Sequence, residues 1–83
     1  MTSVEDIKAA IEKYVKGKYR VWTIGLTSDP REARRRNGNP LTWFEWQISE
    51  NFGLDIVDFF HQKGMDLAVE MDPDETTHLY ITL

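Results

Sequence analysis

The chain has no cysteine. That absence removes a disulfide framework, a thiolate zinc site, an iron–sulfur cluster and a cysteine nucleophile together. No apolar run approaches the roughly 20 residues a membrane span needs. The first ten residues, MTSVEDIKAA, carry neither the basic nor the apolar region of a secretory signal. There is no glycine-rich phosphate loop, no nucleophile elbow and no Ser/His/Asp pattern. Repeats, linkers and low-complexity segments are missing as well. Basic residues all but vanish from the second half: residues 41–83 hold Lys63 alone against nine Asp/Glu.

What is there is 83 residues, 41% hydrophobic and 12% aromatic, with a net charge of −4. That is enough apolar material for a packed globule and too much for wholesale disorder. The expectation is one soluble, cytoplasmic domain over residues 1–83, with no membrane partner. Residues 1–40 carry nine Lys/Arg against five Asp/Glu, the reverse of the second half. Either the domain presents one basic and one acidic surface, or the two halves neutralise each other across the fold.

Val4, Ile7, Ala10, Ile11, Tyr14 and Val15 recur at three- and four-residue spacing and predict an amphipathic helix, with Ser3 as its cap and Gly17 as its stop. Its polar face (Lys8, Glu12, Lys13, Lys16) is mixed in sign, which suits packing on a sheet better than lying on a membrane. Tyr19–Leu26 reads as a strand with Trp22, Ile24 and Leu26 on one face; Gly25 within it marks a bulge or a close backbone approach. Asp29-Pro30-Arg31-Glu32 starts a short helix, with Asp29 as N-cap, Pro30 at the first helical position and Glu32 reaching back. Asn37-Gly38-Asn39-Pro40 ends it.

Residues 42–48 alternate as a strand, Phe44, Trp46 and Ile48 inward and Trp43, Glu45 and Gln47 outward. A second long helix runs from about Glu50 to Lys63, with Phe52, Ile56, Phe59 and Phe60 buried and Gly64 closing it. Met65–Met71 and Thr77–Leu83, joined at Asp72-Pro73-Asp74-Glu75, read as a β-hairpin whose free edge can pair with another copy. The order α-β-α-β-α-β-β makes an α+β domain, a small and mainly antiparallel sheet with helices packed on it.

The chemistry in these elements favours binding. Asp58 and His61 stand at i,i+3 and are candidate metal ligands, but a closed site needs about four. The carboxylates of Asp72–Glu75 lack the full calcium-loop pattern and its central glycine and read as a solvated turn. Arg31, Arg34, Arg35 and Arg36 cluster on or just past one short helix, near Arg20 and Trp43 in sequence. Arginines beside an exposed ring supply phosphate contacts and base stacking. Alternatively they form a solvated basic face that answers the acidic half.

Thr23-Ile24-Gly25, followed by Leu26-Thr27-Ser28-Asp29 and the arginine-rich helix, resembles the second half of a GIY-YIG nuclease domain. Asp55–Met65 resembles that family's third-motif helix, and the likeness covers about residues 20–65. The resemblance implies a tyrosine in the second motif, an arginine about eight residues beyond its glycine, and a glutamate holding the catalytic metal. At the matching positions stand Thr23, Ala33 and Val57. Arg34 is one residue along, roughly 100° round a helix, and Asp58 is one residue from Val57. The family's first strand is missing from its expected place, a slot the strand ending in Tyr80 can take. The resemblance therefore implies a scaffold without nuclease chemistry, since cleavage needs both the metal and a positioned proton acceptor.

The expected function is binding of DNA, RNA or a nucleic-acid-handling protein through Arg31, Arg34, Arg35, Arg36 and Trp43, as monomer or homodimer and without a cofactor. Two alternatives stand beside it. One is a residual or altered nuclease using Arg34 and Asp58, with His61 as a further candidate metal ligand, and Mg²⁺; the other is an acidic protein-interaction or inhibitor module.

Overall fold

The computed structural model describes residues 3–48, 52–68 and 77–83. Three helices, α1 (Val4–Val15), α2 (Pro30–Arg36) and α3 (Gly53–Gln62), accompany four strands, β1 (Thr23–Thr27), β2 (Trp43–Gln47), β3 (Asp66–Leu67) and β4 (His78–Thr82). This is an α+β fold with the expected element order. The strands lie in the order β2-β4-β1-β3, with β4 antiparallel to both neighbours and β3 parallel to β1. β1 and β2 therefore run parallel with β4 inserted between them, a split β-α-β unit.

Strand alternation sorts the side chains. Ile24, Ile81 and Phe44 stand abreast on one face, as do Leu26, Leu79 and Trp46. Against that face pack Ile7, Ile11 and Val15 of α1 and Ile56, Val57 and Phe60 of α3, all buried in one apolar cluster. Each such side chain contributes about 1.5–3 kcal/mol relative to full exposure, so this cluster holds the fold. The opposite face carries a smaller one, Ala33 of α2 with Ala68 and Tyr80, and Trp43 against its side. Alanine at 33 and 68 leaves room for α2 to sit close to the strands.

Local signals act as the residues require. Ser3 Oγ accepts from Asp6 N–H at 3.1 Å, capping α1. The helix stops where Lys16 and Gly17 both take positive φ, 53° and 78°. Asp29 Oδ1 accepts from Glu32 N–H at 3.1 Å, with Pro30 opening α2.

Four expectations are corrected. Tyr19–Val21 is a 3₁₀ turn, because the chain must swing from the end of α1 into the sheet before pairing begins at Thr23. The Glu32 carboxylate does not reach back to the cap; it turns forward to two arginines. On α3, Val57 is buried while Phe52 and Phe59 are 46% and 37% exposed. Phe59 instead packs under the ammonium groups of Lys8 and Lys63 at 4.3 and 4.8 Å. β3 and β4 are not a hairpin, since β1 lies between them and supplies hydrogen bonds to both. The connecting turn and residues 69–71 of the expected strand lie outside the described residues, as does Glu50. The two halves of the chain also interleave in the sheet: β1 is threaded between β3 and β4, and α1 and α2 pack on opposite faces.

Near the end of α1, Tyr19 donates its hydroxyl to Glu12 Oε2 at 2.6 Å, and Lys63 Nζ lies 3.6 Å from Glu12 Oε1. The hydrogen bond to the carboxylate, then partial burial, then the negative charge hold the Tyr19 phenol protonated above the usual tyrosine range. A raised folded-state pKa gives stability that is complete below the unfolded tyrosine value and is lost as pH rises through the folded one. Ultraviolet titration, taken as the difference between the wild-type chain and Tyr19→Phe, should therefore show a phenol ionising later than free tyrosine. In Glu12→Gln that ionisation should move back down.

Candidate nucleic-acid interface

α2 is seven residues long and four of them are arginine. Its single buried residue is Ala33, which fixes the azimuth of the rest at 100° per residue. Arg31 and Arg35 point away from the sheet, Arg34 leans to one flank, and Glu32 and Arg36 share the other. The four guanidinium groups thus fan around the helix and do not form one stripe. All four are exposed.

Their partners differ. Arg35 grips Glu32 with two bonds, Nε to Oε2 at 2.9 Å and Nη2 to Oε1, and Arg36 Nε lies 3.3 Å from the same carboxylate. The Arg35 bond first, with the charges of both arginines behind it, holds Glu32 below the ordinary glutamate range. Arg34 Nη2 donates to the Pro40 carbonyl at 3.0 Å, pinning the guanidinium to the loop that leads into β2. Neither Arg31 nor Arg34 has an acidic partner among the described residues.

Trp43 is half-buried. Its ring stacks on Tyr80 at 4.3 Å and 14°, and its Nε1 donates to Glu45 Oε1 at 3.0 Å. The ring expected to be free is thus already engaged on one side. Tyr80 is 1% exposed and lies across Gly25, where a Cβ would stand 2.5 Å from Cζ and from the hydroxyl oxygen. Asn37 Nδ2 donates to the Ala33 carbonyl at 2.7 Å and reaches the Tyr80 hydroxyl at 3.5 Å. Asn37 and Tyr80 were not among the expected site residues. Their only sequence signal is a glycine in a strand, which asks for a large neighbour on the adjoining strand without saying which one.

α2 and Trp43 lie on the same face of the sheet, so the structure brings the arginine helix and the tryptophan together on one side. It does not bring Arg34 to Asp58. α2 packs on the Tyr80 face and α3 on the Ile24 face, and the sheet stands between them. Val57, at the family's glutamate position, is 2% exposed in the main core. Asp58 and His61 are exposed on α3, and His61 Nδ1 lies 3.0 Å from the Met65 carbonyl. That contact requires the proton on Nδ1. Among the described residues no three His, Asp or Glu side chains are grouped to hold a metal ion. No helix of the described residues is long and apolar enough to cross a membrane.

No family model, curated protein or solved structure matches the chain.

Proposed function

We propose that this domain binds nucleic acid through α2 and the adjoining Trp43, without cutting it. The observation that carries the reading is the pair Arg31 and Arg34, exposed on the Trp43 face with no acidic partner among the described residues. Arg34 is held by the Pro40 carbonyl, so less side-chain freedom is lost when it meets a phosphate. In this reading the chain is a GIY-YIG-like scaffold. Supporting it are the strand of Thr23-Ile24-Gly25 leading straight into an arginine helix, and β4 lying antiparallel beside that strand. Arg34 and Asp58 on opposite sides of the sheet favour binding over metal-assisted cleavage.

Three or four phosphate contacts on a single strand give a slope of log K against log salt of roughly −2 to −3. The overall charge of −4 keeps the affinity modest, because the protein's own field opposes a polyanion. Fluorescence anisotropy with single-stranded and duplex DNA across a salt series checks this. Replacing Arg31 and Arg34 together by alanine should flatten the slope by about 1–2 and leave the DNA intact on a gel, with or without Mg²⁺. Salt-insensitive binding, or none, would overturn the reading. Mg²⁺-dependent products lost in Asp58→Asn would replace it with a nuclease.

A further inference from the structure

β2 is an edge strand, and hydrogen-bond parity decides which of its backbone groups are free. Ile48 N–H donates to the Thr77 carbonyl at 2.9 Å. In an antiparallel pair, bonded and non-bonded positions alternate, so Phe44 and Trp46 bond inward to Ile81 and Leu79 in the observed register. The N–H and C=O groups of Trp43, Glu45 and Gln47 therefore point out of the sheet. Nothing among the described residues pairs with that edge.

Natural edges are usually blunted by lysine, proline, a bulge or a covering segment. β2, Trp43-Phe44-Glu45-Trp46-Gln47, has no lysine and no proline. It pairs with β4 over all five residues without interruption. Three of its five residues are aromatic, and Phe44 is held flat by Tyr14 of α1 at 3.8 Å and 11°. Just before it, Leu41 is 99% exposed. An uninterrupted, aromatic edge of this kind is a template for another strand.

We propose that the occupant is the β2 strand of a second copy, antiparallel and related by a two-fold axis perpendicular to the sheet. The strand is complementary to itself in one register, which avoids a like-charge pair and matches an amide donor to a carboxylate acceptor. Glu45 is the one charged residue of β2. Centring the two-fold on Glu45 would set two carboxylates directly opposite, which is unfavourable. Moving the centre by one residue to Trp46 places each Glu45 opposite Gln47 of the other copy. The amide then donates to the carboxylate, and the backbones of Glu45 and Gln47 exchange hydrogen bonds in both directions. In that register Trp46 faces its own symmetry mate on the α1 side, and Phe44 faces Ile48. A perpendicular two-fold keeps both α2 helices on the same side of one eight-stranded sheet. The pairing of strands stands independently of what α2 binds.

A five-residue strand pair buries less than a standard interface, so the dimer is weak and concentration-dependent. Sedimentation velocity from about 10 µM to about 1 mM should show reversible dimerisation with a dissociation constant in that range. Over the same range, the amide signals of Trp43, Glu45 and Gln47 should shift together. Glu45→Pro removes an outward N–H without touching the β4 ladder and should leave a folded monomer, checked by an unchanged far-ultraviolet spectrum. Gln47→Glu, which opposes two carboxylate pairs per dimer, should weaken association roughly tenfold at neutral pH. A chain monomeric throughout, or a dimer unaffected by Glu45→Pro, would overturn the proposal. Dimerisation insensitive to Gln47→Glu would overturn its register.

Discussion

Phe60→Ala should bring the domain to the edge of unfolding. Phe60 is 0% exposed at the centre of the larger cluster. Phe59 meets its ring edge-on at 5.0 Å and Tyr19 packs at 6.3 Å. Its carbonyl also accepts from Lys63 and Met65 N–H at 3.1 Å each, closing the end of α3. Truncating a buried phenylalanine costs about 3–5 kcal/mol, part transfer and part cavity. A domain of 83 residues has roughly 4–12 kcal/mol in total. Urea unfolding followed by tryptophan fluorescence should show a midpoint lowered by a third or more in Phe60→Ala. Phe60→Leu, which refills most of the volume, should cost about half as much or less. Equal, small losses in both variants would mean that α3 is not part of the cooperative core.

Gly25→Ala should be the most damaging single-methyl change in the sheet. The added Cβ would stand 2.5 Å from Tyr80 Cζ and its hydroxyl oxygen, and 2.8 Å from Ala68 Cβ. Neither neighbour can yield cheaply, since Tyr80 is sealed between the sheet and Trp43 and Ala68 has no rotamer to change. Overpacking of this kind costs about 1–3 kcal/mol, and Gly25→Val should exceed that. The cause can be isolated with a double-mutant cycle. In a Tyr80→Leu background, the same Gly25→Ala change should cost about 1–2 kcal/mol less, or become neutral. Additive losses would show that the glycine is needed for its backbone and not for the ring above it. The glycine of Thr23-Ile24-Gly25 thus has a packing reason that is separate from any family likeness.

Much of this was legible because it is local. The α1 stripe, the Ser3 and Asp29 caps, the positive-φ stop at Gly17 and the inward set Trp22, Ile24 and Leu26 all depend on residues within one turn or one strand. So did the existence of an arginine-rich helix. The failures share a cause as well. Phe52 and Phe59 look buried by hydropathy, but the azimuth that α3 presents to the sheet is set by its neighbours, and Val57 takes the inner position. Trp43 looked like a free ring because nothing near it in sequence covers it; Tyr80, distant in the chain, does.

The sequence by itself determined the order and type of the helices and strands, the caps of α1 and α2, and that the fold is α+β, because caps, turns and periodicity are short-range physics. Tertiary structure alone decided the order in which the strands lie, since pairing joins residues far apart and no local signal ranks the partners. From that order follows the rest. β1 enters between β3 and β4 and removes the expected hairpin. The two halves of opposite charge become interleaved. α2 and α3 go to opposite faces, which separates Arg34 from Asp58 and leaves β2 with its backbone open at the edge.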